Sequence, residues 1–501
     1  MENTLVDHAL TILPMAIITS IDLLINRRTK IIATVGPASS SREVLKALIE
    51  AGVNVFRLNM SHGDHATHQL AYENIRTAAR DLSRPVAILV DLCGPKIRTG
   101  KFENGGIDLI EGNEITITMG GGFGREGMIV SQYEALAGDV KAGDRILLAD
   151  GLFELCVLQS SDFEVRCRVV HGGRLTDNKG MNLPGVDVSA PCMTHKDIED
   201  ADFAKSLGVD FIALSFVRTP GDVVQLRALL DNAKNPPGII AKIEKPEALE
   251  NAEAILDVAD AIMIARGDLG VELPPEEVPI AQKQLIDLAR KSGKPVIVAT
   301  QMLESMITHS RPTRAEVTDV SHAVTSGADA IMLSAETATG AFPVSAVEMM
   351  DRVARQAEAH LWSAGAWGGE QIIDEPASVW NSVASAAAKM SKSLNARAVI
   401  VVSQTGISAQ TISAARPAAP ILALTGNQES FNKMSLLWGV VPLLDTRTGK
   451  TNPNDLAKQV ALELNLAKPG QYVLLVRGFH RDPAMNMPSI TALTIPVEDD
   501  L

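Results

Sequence analysis

Lys242 sits inside one apolar run, Ile239–Ile243, and Glu244 closes it; Arg266, Gly267 and Asp268 close the next run, Ala261–Ala265. Short continuous apolar runs of this kind make buried parallel strands. In a parallel α/β barrel the strand ends share one mouth, so groups that are distant in sequence converge there. Two carboxylates and a lysine at one mouth suit Mg²⁺ together with an anion that gains charge during reaction. A single charged strand end would read as a solvated loop. Carboxylates at two consecutive ends, with a lysine inside an apolar run, favour a site.

The elements that must position these groups recur along the chain. Between the two runs, Pro246–Val258 is expected to be one helix, with Pro at its first turn and Leu249, Ala252, Ile255 and Leu256 on one face. Further apolar runs lie at Lys30–Val35, Val53–Leu58, Val86–Asp91, Phe211–Phe216, Pro295–Thr300 and Ala330–Ser334. Helical patterns separate most of them, such as Arg42–Glu50, stopped by Gly52. Strand-like runs alternating with helices predict a (β/α)8 TIM barrel over residues 27–92 and 188–369. Residues 93–187 change character: they are glycine-rich and alternate strictly, as in Phe163–Val169. They predict a small all-β domain inserted in the barrel, hinged near Gly94-Pro95 and Leu183-Pro184 and able to close over the mouth as a lid. Residues 370–501 predict a C-terminal doubly wound α/β domain, with a closing strand near Ala492–Val497. In that domain Ser403-Gln404-Thr405-Gly406-Ile407-Ser408 joins a strand to a helix N-terminus, either as a phosphate cradle or as an ordinary N-cap turn.

The bulk numbers narrow the class. With 501 residues, several domains are expected. A formal net charge of −14 argues against nucleic acid or an anionic membrane as the main partner, so an anionic substrate needs a local positive site. Cys93, Cys156, Cys167 and Cys192 form no C-x-x-C pair and read as reduced thiols of a cytoplasmic protein. Ala9–Ile25 is apolar but interrupted by Pro14 and Asp22, and no basic segment precedes it. Residues 1–26 therefore read as an N-terminal extension, either a short helix at a subunit contact or the product of a misassigned start codon.

The quoted segments I-A-K-I-E-K-P-E-A-L-E-N and I-M-I-A-R-G-D-L-G-V-E closely resemble the metal and phosphoenolpyruvate site of pyruvate kinases. So do T-K-I-I-A-T-V-G-P-A-S-S at Thr29, V-F-R-L-N-M-S-H-G at Val55, P-V-I-V-A-T-Q-M-L-E-S-M at Pro295 and I-M-L-S-A-E-T-A-T-G-A-F-P at Ile331. The resemblance implies transfer of a phosphoryl group from phosphoenolpyruvate to ADP, the last step of glycolysis, in a homotetramer. It makes Glu244 and Asp268 the ligands of Mg²⁺ (Mn²⁺ as a substitute). Lys242 and Arg57 would act on the phosphoryl group, and Arg266, Gly267, Asp268 and Thr300 would hold the substrate. Thr300, Ser334 and Glu336 could relay the proton that completes pyruvate. By resemblance, Asn59, His62, Arg98 and Lys179 serve the nucleotide, and Ser403, Thr405, Gly406 and Ser408 mark a possible sugar-phosphate effector site. Many relatives hold a monovalent cation through the Asn and Ser of R-L-N-x-S and the Asp and Thr of D-T-K-G-P-E. Here Asn59, Ser61 and Asp91 are present, but Leu92 replaces the Thr and Lys96 the Glu. The Lys96 ammonium supplies the charge, so K⁺ is expected not to be required. Two rivals are a Mg²⁺-dependent lyase forming a pyruvate enolate and a non-catalytic metabolite-binding paralogue. The inserted domain and Arg57 argue against the first, and the retention of Lys242, Glu244, Asp268 and Thr300 against the second.

Overall fold

In a computed structural model, the described residues are 27–364 and 377–496, apart from 234, 481 and 483; the expected N-terminal extension lies outside them. Eight parallel strands close into a barrel: Lys30–Thr34, Val55–Asn59, Ala87–Asp91, Phe211–Leu214, Gly238–Ile243, Ala261–Ala265, Val296–Ala299 and Ala330–Leu333. Lys30–Thr34 pairs with both Val55–Asn59 and Ala330–Leu333, which closes the ring. Because side chains alternate along a strand, each strand feeds two cores. Ile32, Val55, Leu89, Ala213, Ile240, Met263, Ile297 and Met332 fill the interior. Ile31, Phe56, Ile88, Ile212, Ile239, Ile262, Val298 and Ile331 face the surrounding helices.

Local signals place the helices. Arg42–Ala51 starts where the Ser41 hydroxyl accepts from the Val44 N–H, and stops at Gly52, whose φ of 115° suits a residue without Cβ. The single helix expected over 246–258 is two, Pro246–Glu250 and Ala252–Val258. Asn251 breaks it. Its side-chain amide donates to the carbonyls of Arg218 and Glu247 (3.0 Å each), and this pins the junction to the loop after the fourth barrel strand.

Between the third and fourth barrel strands the chain makes the inserted domain. Its main sheet runs in the order Met181–Asn182, Arg145–Leu148, Phe153–Ser160, Glu164–His171, Glu114–Met119, Met128–Ser131, over a core of its own that includes Ile117, Leu148, Leu155 and Val165. One hinge is Gly94. Its φ is 68°, and a Cβ there would lie 2.7 Å from the Phe216 ring, so only glycine fits. The C-terminal sheet has the order Val440–Leu444, Ile421–Thr425, Val399–Val402, Tyr472–Arg477, Ser489–Thr494, all parallel but for the last. The closing strand thus lies a few residues before the expected Ala492–Val497, and Val497 falls outside the described residues. This domain seats against the barrel, where Leu436 joins the interior cluster. The Lys30 ammonium, 1% exposed, donates to the Val440 carbonyl at 2.6 Å.

Candidate active site

The same alternation that builds the barrel interior also builds the mouth. Following Ile32, Val55, Leu89, Ala213, Ile240 and Met332, the next inward positions are Thr34, Arg57, Asp91, Ser215, Lys242 and Ser334. A lumen that is apolar at depth therefore ends in a polar ring. All six line one cavity of about 370 Å³, together with Asn59, Ser61, His62, Glu244, Asp268 and Thr300.

Within that ring the charges are interlocked. Asp91, 1% exposed, accepts from Arg57 Nε at 2.6 Å through Oδ2, and its Oδ1 lies 3.2 Å from the Lys242 ammonium. Lys242 also pairs with Glu244 Oε1 at 2.9 Å and donates to the Ser215 hydroxyl at 2.7 Å. Arg57 Nη1 donates to the Thr34 hydroxyl (3.1 Å), and the Phe216 N–H donates to Glu244 Oε2 (2.7 Å). Burial alone would lower the Lys242 pKa, but the charges of Asp91 and Glu244 overcome it and hold the ammonium well above its usual range. Burial would push Asp91 up, and Lys242 and Arg57 bring it below the ordinary carboxylate range. Glu244 goes the other way: burial raises it, Lys242 opposes, and Asp268 adds to the rise. A carboxyl pushed up by burial and, to a lesser degree, by a second carboxylate is one whose ionised form a divalent cation would stabilise.

The Asp268 carboxylate makes no hydrogen bond or ion pair with any described residue, so both its oxygens are available. Among the described residues no group of three or more His, Cys, Asp or Glu gathers as a metal site. Glu244 and Asp268 line the same cavity, and two carboxylates with coordination positions left for substrate and water would fit a hard cation such as Mg²⁺.

The end of the seventh barrel strand is strained. Thr300 and Gln301 have φ of 68° and 54°, a region unfavourable for a β-branched residue by about 1–3 kcal/mol. The Thr300 hydroxyl accepts from the Gly267 N–H (2.7 Å) and donates to the Ala299 carbonyl (2.6 Å). Arg266 holds this turn from behind: its guanidinium donates to the Thr300 carbonyl at 2.7 Å and pairs with Asp319 at 2.5 Å. Its side chain is thus committed to the protein, while Asp268 lines the cavity. Glu336, 3% exposed, is likewise spent on backbone, accepting from the Leu303 N–H (3.1 Å) and the Ser334 N–H (2.7 Å). It fixes the loops after the seventh and eighth strands.

A second cavity of about 370 Å³ continues from the mouth beneath the inserted domain, sharing Lys96, Phe216 and Asp268 with the first. Arg98, Lys179, Arg218 and Lys245 line it. Arg98 donates to the Asn178 carbonyl at 3.1 Å, whereas the side chains of Lys96 and Lys179 are exposed and have no partner among the described residues. Asn59 accepts from the Ser61 N–H (3.2 Å), and His62 stands on the rim of the first cavity. Leu92 is 1% exposed, so its side chain packs in the core.

In the C-terminal domain, Gly406 (φ 86°) precedes helix Ile407–Ala414, and no side chain caps that helix. The Ser403 hydroxyl, 3% exposed, has no partner among the described residues; Ser408, five residues on, is also buried, and Thr405 is exposed. Thr34 and Ser215 were not among the expected site residues. Their signal was present as the first polar inward position after each apolar strand.

Residues 26–347 match the family described as pyruvate kinase, barrel domain, and residues 381–490 match pyruvate kinase, alpha/beta domain. The chain is 46% identical over 457 residues to pyruvate kinase 2 of Synechocystis sp., covering 90% of this chain and 76% of that one. It is 43% identical over 456 residues to the pyruvate kinase of Mycobacterium tuberculosis, covering 90% and 95%. A crystal structure of a pyruvate kinase from Cryptosporidium parvum superposes with a TM-score of 0.86 at 38% identity, covering 95% of this chain and 97% of that one.

Proposed function

The chain belongs to the pyruvate kinase family, and from that premise we propose how its barrel mouth transfers the phosphoryl group of phosphoenolpyruvate to ADP, giving pyruvate and ATP. The observation that supports these roles is the buried network of Lys242, Arg57, Asp91 and Glu244, in which each charge fixes its neighbour's direction. Phosphoryl transfer asks little covalent chemistry of a protein; it asks for alignment and for positive charge around the moving group. Lys242 faces that group and the enolate oxygen it leaves, and Arg57, oriented by Asp91, clamps it with a planar fork. Glu244 and Asp268 hold the divalent cation, with Mg²⁺ as the physiological ion and Mn²⁺ as a substitute. When bound, that ion neutralises charge on the substrate's carboxylate and phosphoryl oxygens. Gly267 and the Thr300 hydroxyl seat the carboxylate. Thr300 and Ser334 carry the proton to the enolate, and Glu336 acts by positioning Ser334.

Arg98 and Lys179 of the lid, with Asn59 and His62 of the mouth, receive the nucleotide phosphates. Lys96 stands in for a monovalent cation beside Asn59, Ser61 and Asp91, so K⁺ is not required. The uncapped turn Ser403–Ser408 receives a phosphorylated effector, its case resting on the unpartnered Ser403 hydroxyl and the free N–H groups of the following helix. The working form is a cytoplasmic homotetramer built through the C-terminal domain; among the described residues no helix is long and apolar enough to cross a membrane. An assay coupling pyruvate release to lactate dehydrogenase tests the whole reading. Turnover should need phosphoenolpyruvate, ADP and a divalent cation together, and a purified protein giving neither ATP nor pyruvate would overturn it.

A further inference from the structure

Glu272 lies at the end of helix Arg266–Glu272, one turn beyond Asp268, and is 7% exposed. One oxygen of its carboxylate takes two donors from different parts of the molecule. The Lys245 ammonium pairs with Oε1 at 2.7 Å, and the Asn182 amide donates to the same oxygen at 3.2 Å. Oε2 is buried without a partner among the described residues. Lys245 follows Glu244 directly, whereas Asn182 belongs to the last strand of the inserted domain, Met181–Asn182. That strand pairs with Arg145–Leu148, whose following turn brings Gly151 near Val271, since a Cβ there would lie 4.0 Å from the Val271 side chain. Lys245 also lines the cavity beneath the lid with Arg98 and Lys179.

We propose that Lys245 binds the nucleoside diphosphate, that Glu272 is its positioning residue, and that Asn182 ties the lid to the same carboxylate. This deepens the reading of the cavity as the nucleotide site and rests on it. An ammonium has three donors, and the pair with Glu272 uses one, leaving two for a phosphate oxygen across the cavity. Held by a buried carboxylate, the long lysine stem loses its freedom before the ligand arrives, so less ordering remains to oppose binding. The unpartnered Oε2 leaves the latch an acceptor with which to tighten when the lid moves further in. Lid, nucleotide cation and the helix carrying Asp268 are thereby joined at one carboxylate, and nucleotide binding and lid closure favour each other.

The test is steady-state kinetics and calorimetric ADP binding with the full-length enzyme. Lys245→Met should raise the KM and Kd for ADP about tenfold or more with the KM for phosphoenolpyruvate changed by less than about threefold, and Lys245→Arg should recover most of the loss. Glu272→Gln should weaken ADP in the same selective way and speed hydrogen exchange at the amides of Gly151 and Asn182 in the ADP complex. Asn182→Ala should reproduce the exchange change with a smaller loss of affinity. An ADP Kd within about twofold of wild type for Lys245→Met overturns the proposal. So does an equal weakening of both substrates in Glu272→Gln and Asn182→Ala, the mark of a purely structural role. Calorimetry separates the two levels: a wild-type enzyme that binds ADP without turnover contradicts the reaction, whereas an active one indifferent to Lys245 contradicts only this proposal.

Discussion

The cations on the floor of the barrel mouth and the exposed lysines bordering the lid cavity are in opposite states, with Lys245, paired to the buried Glu272, between the two. On the floor, Lys242 and Arg57 are nearly buried and anchored by Asp91, which is itself 1% exposed. Under the lid, Lys96 and Lys179 are exposed and unpartnered among the described residues. A buried charge without a partner is strongly destabilising, so the floor cations must be paired to exist at all, and pairing also fixes their direction. Exposed lysines cost little to keep and have no fixed direction until a ligand supplies one. Preorganised charge acts best on a transition state and adjustable charge on a ground state. The floor is thus suited to the chemistry and the lid to capture of the nucleotide.

If that contrast holds, the largest loss comes from the floor. Lys242→Met should lower kcat by about a thousandfold or more, roughly 4 kcal/mol, while Mn²⁺ binding followed by paramagnetic resonance stays intact. A kcat within about tenfold of wild type would remove Lys242 from its role. Next come the carboxylates: Glu244→Gln and Asp268→Asn should each raise the Mg²⁺ concentration for half activity by about ten- to a hundredfold, and unchanged titrations in both would place the ion elsewhere. The lid should show less. Lys179→Ala is expected to raise the KM for ADP about tenfold with kcat changed by less than about threefold, and a dominant kcat effect would put Lys179 in the chemistry.

Smaller still is the response to monovalent cations. Dialysed enzyme in a tetramethylammonium buffer should gain less than about threefold from added KCl, and stimulation above about tenfold, some 1.4 kcal/mol, would sink the assignment of Lys96. A K⁺ about 4 Å from that ammonium would meet repulsion on the order of 4 kcal/mol at an effective dielectric of 20. The C-terminal turn should give the mildest effect: a phosphorylated metabolite lowering the half-saturating phosphoenolpyruvate concentration, a response lost in Ser408→Glu because like charges repel. A screen of sugar phosphates and nucleotides with no response would return the turn to plain capping.

The apolar strands of the barrel were legible because each is a short, uninterrupted run, and its charged end marks the mouth. Lys242 stood out since a lysine inside I-A-K-I-E has little room to snorkel out to solvent. Arg57 and Asp91 were visible as residues but not as a pair, because their 2.6 Å contact joins the second and third strands and no spacing in the chain encodes it. Arg266 and Glu336 looked like mouth residues from their positions, yet their side chains are bound to backbone and support the strained turn at Thr300. A strand end tells where a Cα lies, not where a long side chain goes. The break at Asn251 escaped the helical pattern since the apolar face continues across it, and what interrupts the helix is one amide bonding to a distant carbonyl. The latch at Glu272 was hidden for the same reason, as its partners come from the lid and from another strand end.

The division between floor and lid can be tested without the nucleotide at all. With Mg²⁺ and inorganic phosphate filling the phosphoryl position, the floor alone should enolise pyruvate, exchanging its methyl protons with deuterated solvent. Proton resonance spectra should show Lys179→Ala exchanging within about twofold of the wild-type rate and Lys242→Met slower by about a hundredfold or more. Equal loss of exchange in both variants would contradict the division, because the lid would then be part of the machinery that stabilises the enolate.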